Sequence, residues 1–155
     1  MQLSDDDVVD AVLRASRVMV SIAAQTLAAV DPDVTLPQLR ALVVLASRGP
    51  QRPTGLADAL DVHPSTITRL CDRLESKGLV RRTQSAVSRR EVVIELEPRG
   101  RKLVDAVTER RRNALADVVA GIPPRERAAL VHALHTLSEA AGEPSDADWF
   151  VGPAS

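Results

Sequence analysis

Aromatic side chains are almost missing from this chain of 155 residues. There is no Tyr, and the single Trp and single Phe stand side by side near the C-terminus as Trp149 and Phe150. A core without aromatics must be built from Leu, Val, Ile and Ala, which fill helix-on-helix layers well. One cysteine, Cys71, excludes an intrachain disulfide and suits a reducing cytoplasm. No apolar run approaches the roughly 20 residues that span a bilayer, so no membrane partner is expected. The opening MQLSDDDVVD is acidic, where a secretory signal would be basic and then apolar. Lysine is scarce too: apart from Lys77 and Lys102 every basic residue is Arg, which together with abundant Ala hints at a GC-rich bacterial coding bias. Finally, the chain has no Gly-rich phosphate loop, no nucleophile elbow and no carboxylate pair set across a cleft. An enzyme is therefore not expected, and neither a cofactor nor a metal is called for.

What is present is ordinary in amount and unusual in placement. Apolar residues make up 45% and charged residues 26%, normal for one domain or two tightly joined lobes. The formal net charge is only -1, yet the charges are segregated. Between Pro64 and Arg90 stand seven basic residues (Arg69, Arg73, Lys77, Arg81, Arg82, Arg89, Arg90) against Asp72 and Glu75, a net of +5. The first ten residues carry four Asp and no basic residue. Such polarisation aims one face at a polyanion.

Hydrophobic spacing predicts a long helix over Asp6 to Val30, with Val9, Val12, Leu13, Ile22, Ala23, Thr26, Leu27 and Val30 on its apolar side. Ser4 and Asp7 form a capping pattern at its start. A second helix runs from Leu36 to Ser47 and stops at Gly49-Pro50. A short helix over Leu56 to Leu60, a turn at Asp61-Val62-His63 and a helix over Pro64 to Lys77 then make a helix-turn-helix signal, with Pro64 at a helix start and Gly78 past the end. Leu79 to Thr83 and Glu91 to Leu96 read as strands joined by the loop QSAVSRR, a hairpin that turns the pair of helices into a winged helix. Two further helices follow, Arg99 to Gly121 and Arg125 to Ala141, the last with Leu130, Leu134 and Leu137 inward. The fold class is thus mainly α with a small β-hairpin wing. The terminal helices have no evident core of their own, and a spare apolar face points to a two-fold dimer. The expected organisation is an N-terminal dimerisation helix over 1–35, a DNA-binding lobe over 36–98, C-terminal dimerisation helices over 99–142 and a tail over 143–155.

Major-groove reading needs exposed side chains on the first turns of a helix. On the helix from Pro64 the outward residues are Ser65, Thr66, Thr68, Arg69, Asp72 and Arg73, and the inward ones Ile67, Leu70, Cys71 and Leu74. Ser and Thr bond bases or phosphates, and Arg69 suits guanine or phosphate. Taken alone, the helix reads equally well as an amphipathic helix with a solvated basic face; the adjoining hairpin favours DNA. On that hairpin Arg89 and Arg90 sit at or just past the loop tip, placed for a narrow minor groove, where Arg exploits the enhanced negative potential. Arg81 and Arg82 at the base are placed to hold phosphates, a sequence-independent and salt-dependent term. The competing reading is a solvated turn whose arginines serve solubility.

The stretches LADALDVHPSTITRLCDRLESKGLVRR and SRREVVIELEPRG carry a resemblance to the MarR family of bacterial transcriptional regulators. The family's Leu-Glu-x-x-Gly-Leu-Val appears as Leu74-Glu75-Ser76-Lys77-Gly78-Leu79-Val80. Its wing pattern Asp-x-Arg, followed by Leu-Thr-x-x-Gly, appears as Ser88-Arg89-Arg90 and Leu96-Glu97-Pro98-Arg99-Gly100. Ser88 departs from the usual Asp that orients the wing, and Glu97-Pro98 departs at a helix cap. The resemblance covers about Leu36 to Gly100 by motif and nearly the whole chain by helix order. It implies a homodimer binding double-stranded DNA at a pseudo-palindrome, with recognition helices about one DNA turn, roughly 34 Å, apart. It further implies a repressor released by a small hydrophobic or phenolic effector. The recognition helix would contribute Ser65, Thr66, Thr68, Arg69 and Arg73, and the wing Arg81, Arg82, Ser88, Arg89 and Arg90.

Other residues admit two readings each. Cys71 is a thiol sensor or inert packing, and its apolar flanks favour packing. His132, His135 and Glu139 have zinc-ligand spacing along a helix, but no further ligand is evident and a solvated face is the simpler account. Trp149 and Phe150 either dock in a groove or belong to a frayed tail. Two other classes of function remain beside a ligand-released repressor. One is a winged-helix protein-interaction module without specific DNA binding, which the Ser88 departure favours; the other is a DNA-binding protein with no effector.

Overall fold

The structure is a computed structural model and describes residues 2–143; Trp149 and Phe150 lie outside the described residues. Helix α1 (Asp5–Val30) opens on the expected capping box. The Ser4 hydroxyl accepts the Asp7 N–H at 3.2 Å, and the Asp7 carboxylate accepts the Ser4 N–H at 3.0 Å. Two orphan donors are thereby satisfied at an end whose dipole already favours Asp5, Asp6 and Asp7. Helix α2 (Leu36–Arg48) opens on a second capping box, Thr35 with Gln38, and stops at Gly49 in the positive-φ region. Helix α3 (Pro53–Leu60) begins three residues before the expected Leu56, because Pro53 is pre-set for a first helical turn. It ends at Asp61, which takes the left-handed conformation at φ 52.

Helix α4 (Pro64–Ser76) is capped by the His63 ring, which receives the Ser65 N–H at 3.2 Å. At its far end the Gly78 N–H bonds the Glu75 carbonyl and the Leu79 N–H bonds the Leu74 carbonyl, at 2.9 and 3.0 Å. This is the two-bond termination that a positive-φ glycine permits, and Gly78 has φ 70. Because Leu79 closes that turn, strand β1 (Val80–Gln84) starts one residue later than its composition suggests. It pairs antiparallel with β2 (Val92–Leu96), from Val80 opposite Leu96 to Gln84 opposite Val92. Gln51 adds a rung: it exchanges both backbone hydrogen bonds with Ile94, at 3.0 and 2.7 Å, and so ties the wing to the α2–α3 connection. Helices α5 (Pro98–Ala120) and α6 (Pro124–Ala140) complete the chain.

The core is aliphatic, as the lack of aromatics requires. Leu42, Leu45, Leu56, Ile67, Leu74 and Ile94 are fully buried where α2, α3, α4 and β2 meet, and Leu27, Leu103, Val104 and Val107 join them from α1 and α5. Outside this lobe the expected inward positions are not covered. Val9, Val12 and Leu13 of α1 are exposed, and α6 buries no residue: Leu130 is partly covered, while Leu134 and Leu137 are 41% and 45% exposed. Only Ala23, Thr26 and Leu27 of α1 are buried. A single chain supplies no second layer for that apolar face to pack against. Among the described residues no helix is long and apolar enough to cross a membrane.

Candidate nucleic-acid interface

Helix α4 sorts its side chains as its 3.6-residue period demands. Ile67, Leu70, Cys71 and Leu74 are buried, while Ser65, Thr66, Thr68, Arg69, Asp72 and Arg73 are exposed along one face. Two of the hydroxyls are engaged locally. Ser65 Oγ lies 2.8 Å from His63 Nδ1, and Thr68 Oγ1 donates to the Pro64 carbonyl at 3.3 Å. Each still has lone pairs to offer an incoming donor.

The seven basic residues of the segment do not form one patch of equals. Arg81 is held by Glu95 at 2.8 Å and by Glu97 at 3.6 Å. Arg82 donates to Asp72 at 2.6 Å and to the Thr68 carbonyl at 3.2 Å, and its own N–H is accepted by Glu75 at 3.1 Å. The hydrogen bond to Asp72 raises its guanidinium still further above the ordinary range. Lys77 donates to the Asp33 carbonyl and to Gln38 Oε1, so it braces the α1–α2 turn. Among the described residues Arg69, Arg73, Arg89 and Arg90 make no ion pair within the chain. Two of these four lie on the outward face of α4 and two on the wing turn.

That turn is ordered by serines. The Ser85 hydroxyl accepts the Val87 N–H at 3.2 Å, and the Ser88 hydroxyl accepts the Arg90 N–H at 3.4 Å; the Ser88 carbonyl takes the Glu91 N–H at 3.1 Å. A hydroxyl can form the local side-chain turn that an Asp would form, more weakly, so Ser88 retains the backbone bond that presents Arg89 and Arg90. Arg52 pairs with Glu91 at 2.9 Å, at the loop end of the two-stranded ladder. Sequence spacing missed the partners of Arg81, Arg82 and Lys77, because each lies across a tertiary contact. The Glu97 departure has the expected effect: α5 begins without a side-chain cap hydrogen bond.

Cys71 is 1% exposed beneath this face. Burial pushes its thiol above the ordinary range, and nearby Arg82 offsets this only in part. His132, His135 and Glu139 are exposed on α6, and among the described residues no cluster of potential ligands could hold a metal. A cleft of about 420 Å³ opens between α1 and α2, with Met19, Val20, Leu39, Val43, Arg40 and Arg111 in its lining.

Four similarities accord with this geometry. The MarR family model matches residues 34–92, from the α1–α2 turn to the second wing strand. The HTH-type transcriptional regulator YfiV of Bacillus subtilis (strain 168) is 31% identical over 70% of this chain and 68% of its own. The HTH-type transcriptional repressor MdtR of the same organism is 30% identical over 70% of each. The crystal structure of RV1404 from Mycobacterium tuberculosis superposes with a TM-score of 0.85 at 43% identity, covering 94% of this chain and 99% of that one.

Proposed function

The chain belongs to the MarR family of winged helix-turn-helix transcriptional regulators and is not an enzyme, and from that premise we propose that it is a sequence-specific repressor acting as a homodimer on a pseudo-palindromic operator. The observation that carries this reading is the division of the basic residues. Three are consumed by carboxylates and carbonyls inside the lobe, while Arg69, Arg73, Arg89 and Arg90 stand on α4 and the wing without such partners among the described residues. Arg69 and Arg73, with Ser65, Thr66 and Thr68, enter the major groove; Arg89 and Arg90, presented by Ser88, enter the adjacent minor groove.

The dimer is carried by residues 1–35 and 99–142. Val9, Leu13, Val20, Leu134 and Leu137 are exposed apolar residues on the two ends of the chain, and a second copy covers them across a two-fold axis. The 36–98 lobes then address half-sites about 34 Å apart. The cleft between α1 and α2 has the size of a small-ligand site and lies where a terminal helix meets the lobe. A hydrophobic effector that fills it releases the protein if it favours a lobe spacing unfit for successive grooves. A regulator of this kind, with one unpaired cysteine, works in the cytoplasm.

The test is a gel shift of the purified protein on DNA upstream of and overlapping its own gene, across a salt series. Sequence-dependent binding that weakens steeply with salt is the expected result. If neither this DNA nor any duplex from a random-sequence selection binds, the chain is a protein-interaction module instead.

A further inference from the structure

The recognition helix carries two carboxylates on the side toward the wing, Asp72 and Glu75. Residues three apart on a helix share a face, and both grip one residue of β1: Asp72 takes the Arg82 guanidinium at 2.6 Å and Glu75 the Arg82 N–H at 3.1 Å. The same Nη2 also reaches the Thr68 carbonyl, so Arg82 spans a full turn of α4. Its side chain is 31% exposed, against 60% for neighbouring Arg81. A carboxylate at position 72, between Arg69 and Arg73 on a face turned to DNA, repels phosphate; it is placed at a cost unless it does something else. A guanidinium already neutralised at 2.6 Å has little charge left for a phosphate.

We propose that Arg82 is a positioning residue. Through Asp72 and Glu75 it locks strand β1 onto the recognition helix, so that major-groove and minor-groove contacts enter DNA as one rigid unit, and it makes no phosphate contact of its own. This rests on the DNA-binding reading above.

The experiment uses the full-length chain and a duplex enriched by it from random-sequence DNA, with a scrambled duplex as reference, in anisotropy titrations over a salt series. The variants are Asp72→Ala and the charge-neutral pair Asp72→Ala/Arg82→Met. A positioning role predicts that Asp72→Ala weakens binding to the enriched duplex about three- to fivefold, although it removes a negative charge. The pair should weaken it no further, because the two residues act as one unit. It should keep the wild-type salt slope and the wild-type affinity for scrambled DNA, which a merely loosened fold would not. Tighter binding by Asp72→Ala overturns the proposal. So does a pair whose salt slope is shallower by about 0.9, the loss of one phosphate contact. If the wild-type chain enriches no duplex, the DNA-binding reading fails and this role falls with it.

Discussion

Gly100 in the first turn of α5 packs against the backbone carbonyl of Leu79, the residue that closes the recognition helix. A Cβ on Gly100 would collide with that carbonyl oxygen and stand 2.7 Å from Leu96 Cδ1. The same carbonyl accepts the Glu97 N–H at 2.9 Å. The root of α5 is therefore fastened to the end of α4 by a contact that only glycine permits.

Gly100→Ala tests that junction. Alanine gains about 1 kcal/mol of helix propensity over glycine, but overpacking against a backbone atom that cannot swing aside costs about 1–3 kcal/mol. The clash should prevail, with a lower melting temperature and α5 displaced from the lobe. A melting temperature at or above the wild type would show that the approach is not tight.

Arg90→Ala and Arg69→Ala separate the two grooves. Arg90→Ala should weaken operator binding while leaving the melting curve unchanged; unaltered affinity would remove Arg90 from the interface. Arg69→Ala should lower the preference for operator over random DNA, by about 1–3 kcal/mol if it reads a base. An equal loss on both sequences would mean that it meets phosphate alone.

Cys71 predicts a pH and reactivity pattern. Its folded thiol is held above its ordinary value of 9.0, chiefly by burial. The folded state therefore keeps the proton more firmly than the unfolded state. That contribution is fully present below the unfolded value and is lost as pH rises through the folded one. Stability should fall in the alkaline range, and less so in Cys71→Ala. Alkylation at pH 8 should be slow in the native protein and fast in denaturant. Rapid native labelling would revive a sensor role.

Leu134→Glu with Leu137→Glu tests the dimer. Both side chains are exposed in the single chain, so a carboxylate there costs little in a monomer and is buried unpaired in a dimer. Light scattering should report monomers with the helical content intact. Persistence of the dimer would move its interface away from α6.

Much of this molecule was legible in the residues themselves. Caps such as Ser4 with Asp7, the stop at Gly78, and the alternation of Ile67, Leu70, Cys71 and Leu74 with Arg69 and Arg73 are local rules of spacing, and the folded chain obeys them. The motif that carried the family resemblance is of the same kind, since it marks turns and a buried face within one stretch of chain. The one-rung strand at Gln51 was not legible, because a single residue has no period.

Which arginines are available to a partner was decided only by tertiary structure. Arg81, Arg82, Arg89 and Arg90 look alike in a string, and as a string they make one basic hairpin. Folding sets Arg81 opposite Glu95 across the ladder and Arg82 against Asp72, while Arg89 and Arg90 sit on a turn beyond the reach of those carboxylates. The sequence by itself determined the elements and the burial of the lobe, because hydrophobic periodicity and capping act over a few residues. Charge pairing acts through space at a few ångströms between residues 10 or 14 apart, so only the folded chain could divide the arginines that hold the wing from those that face outward.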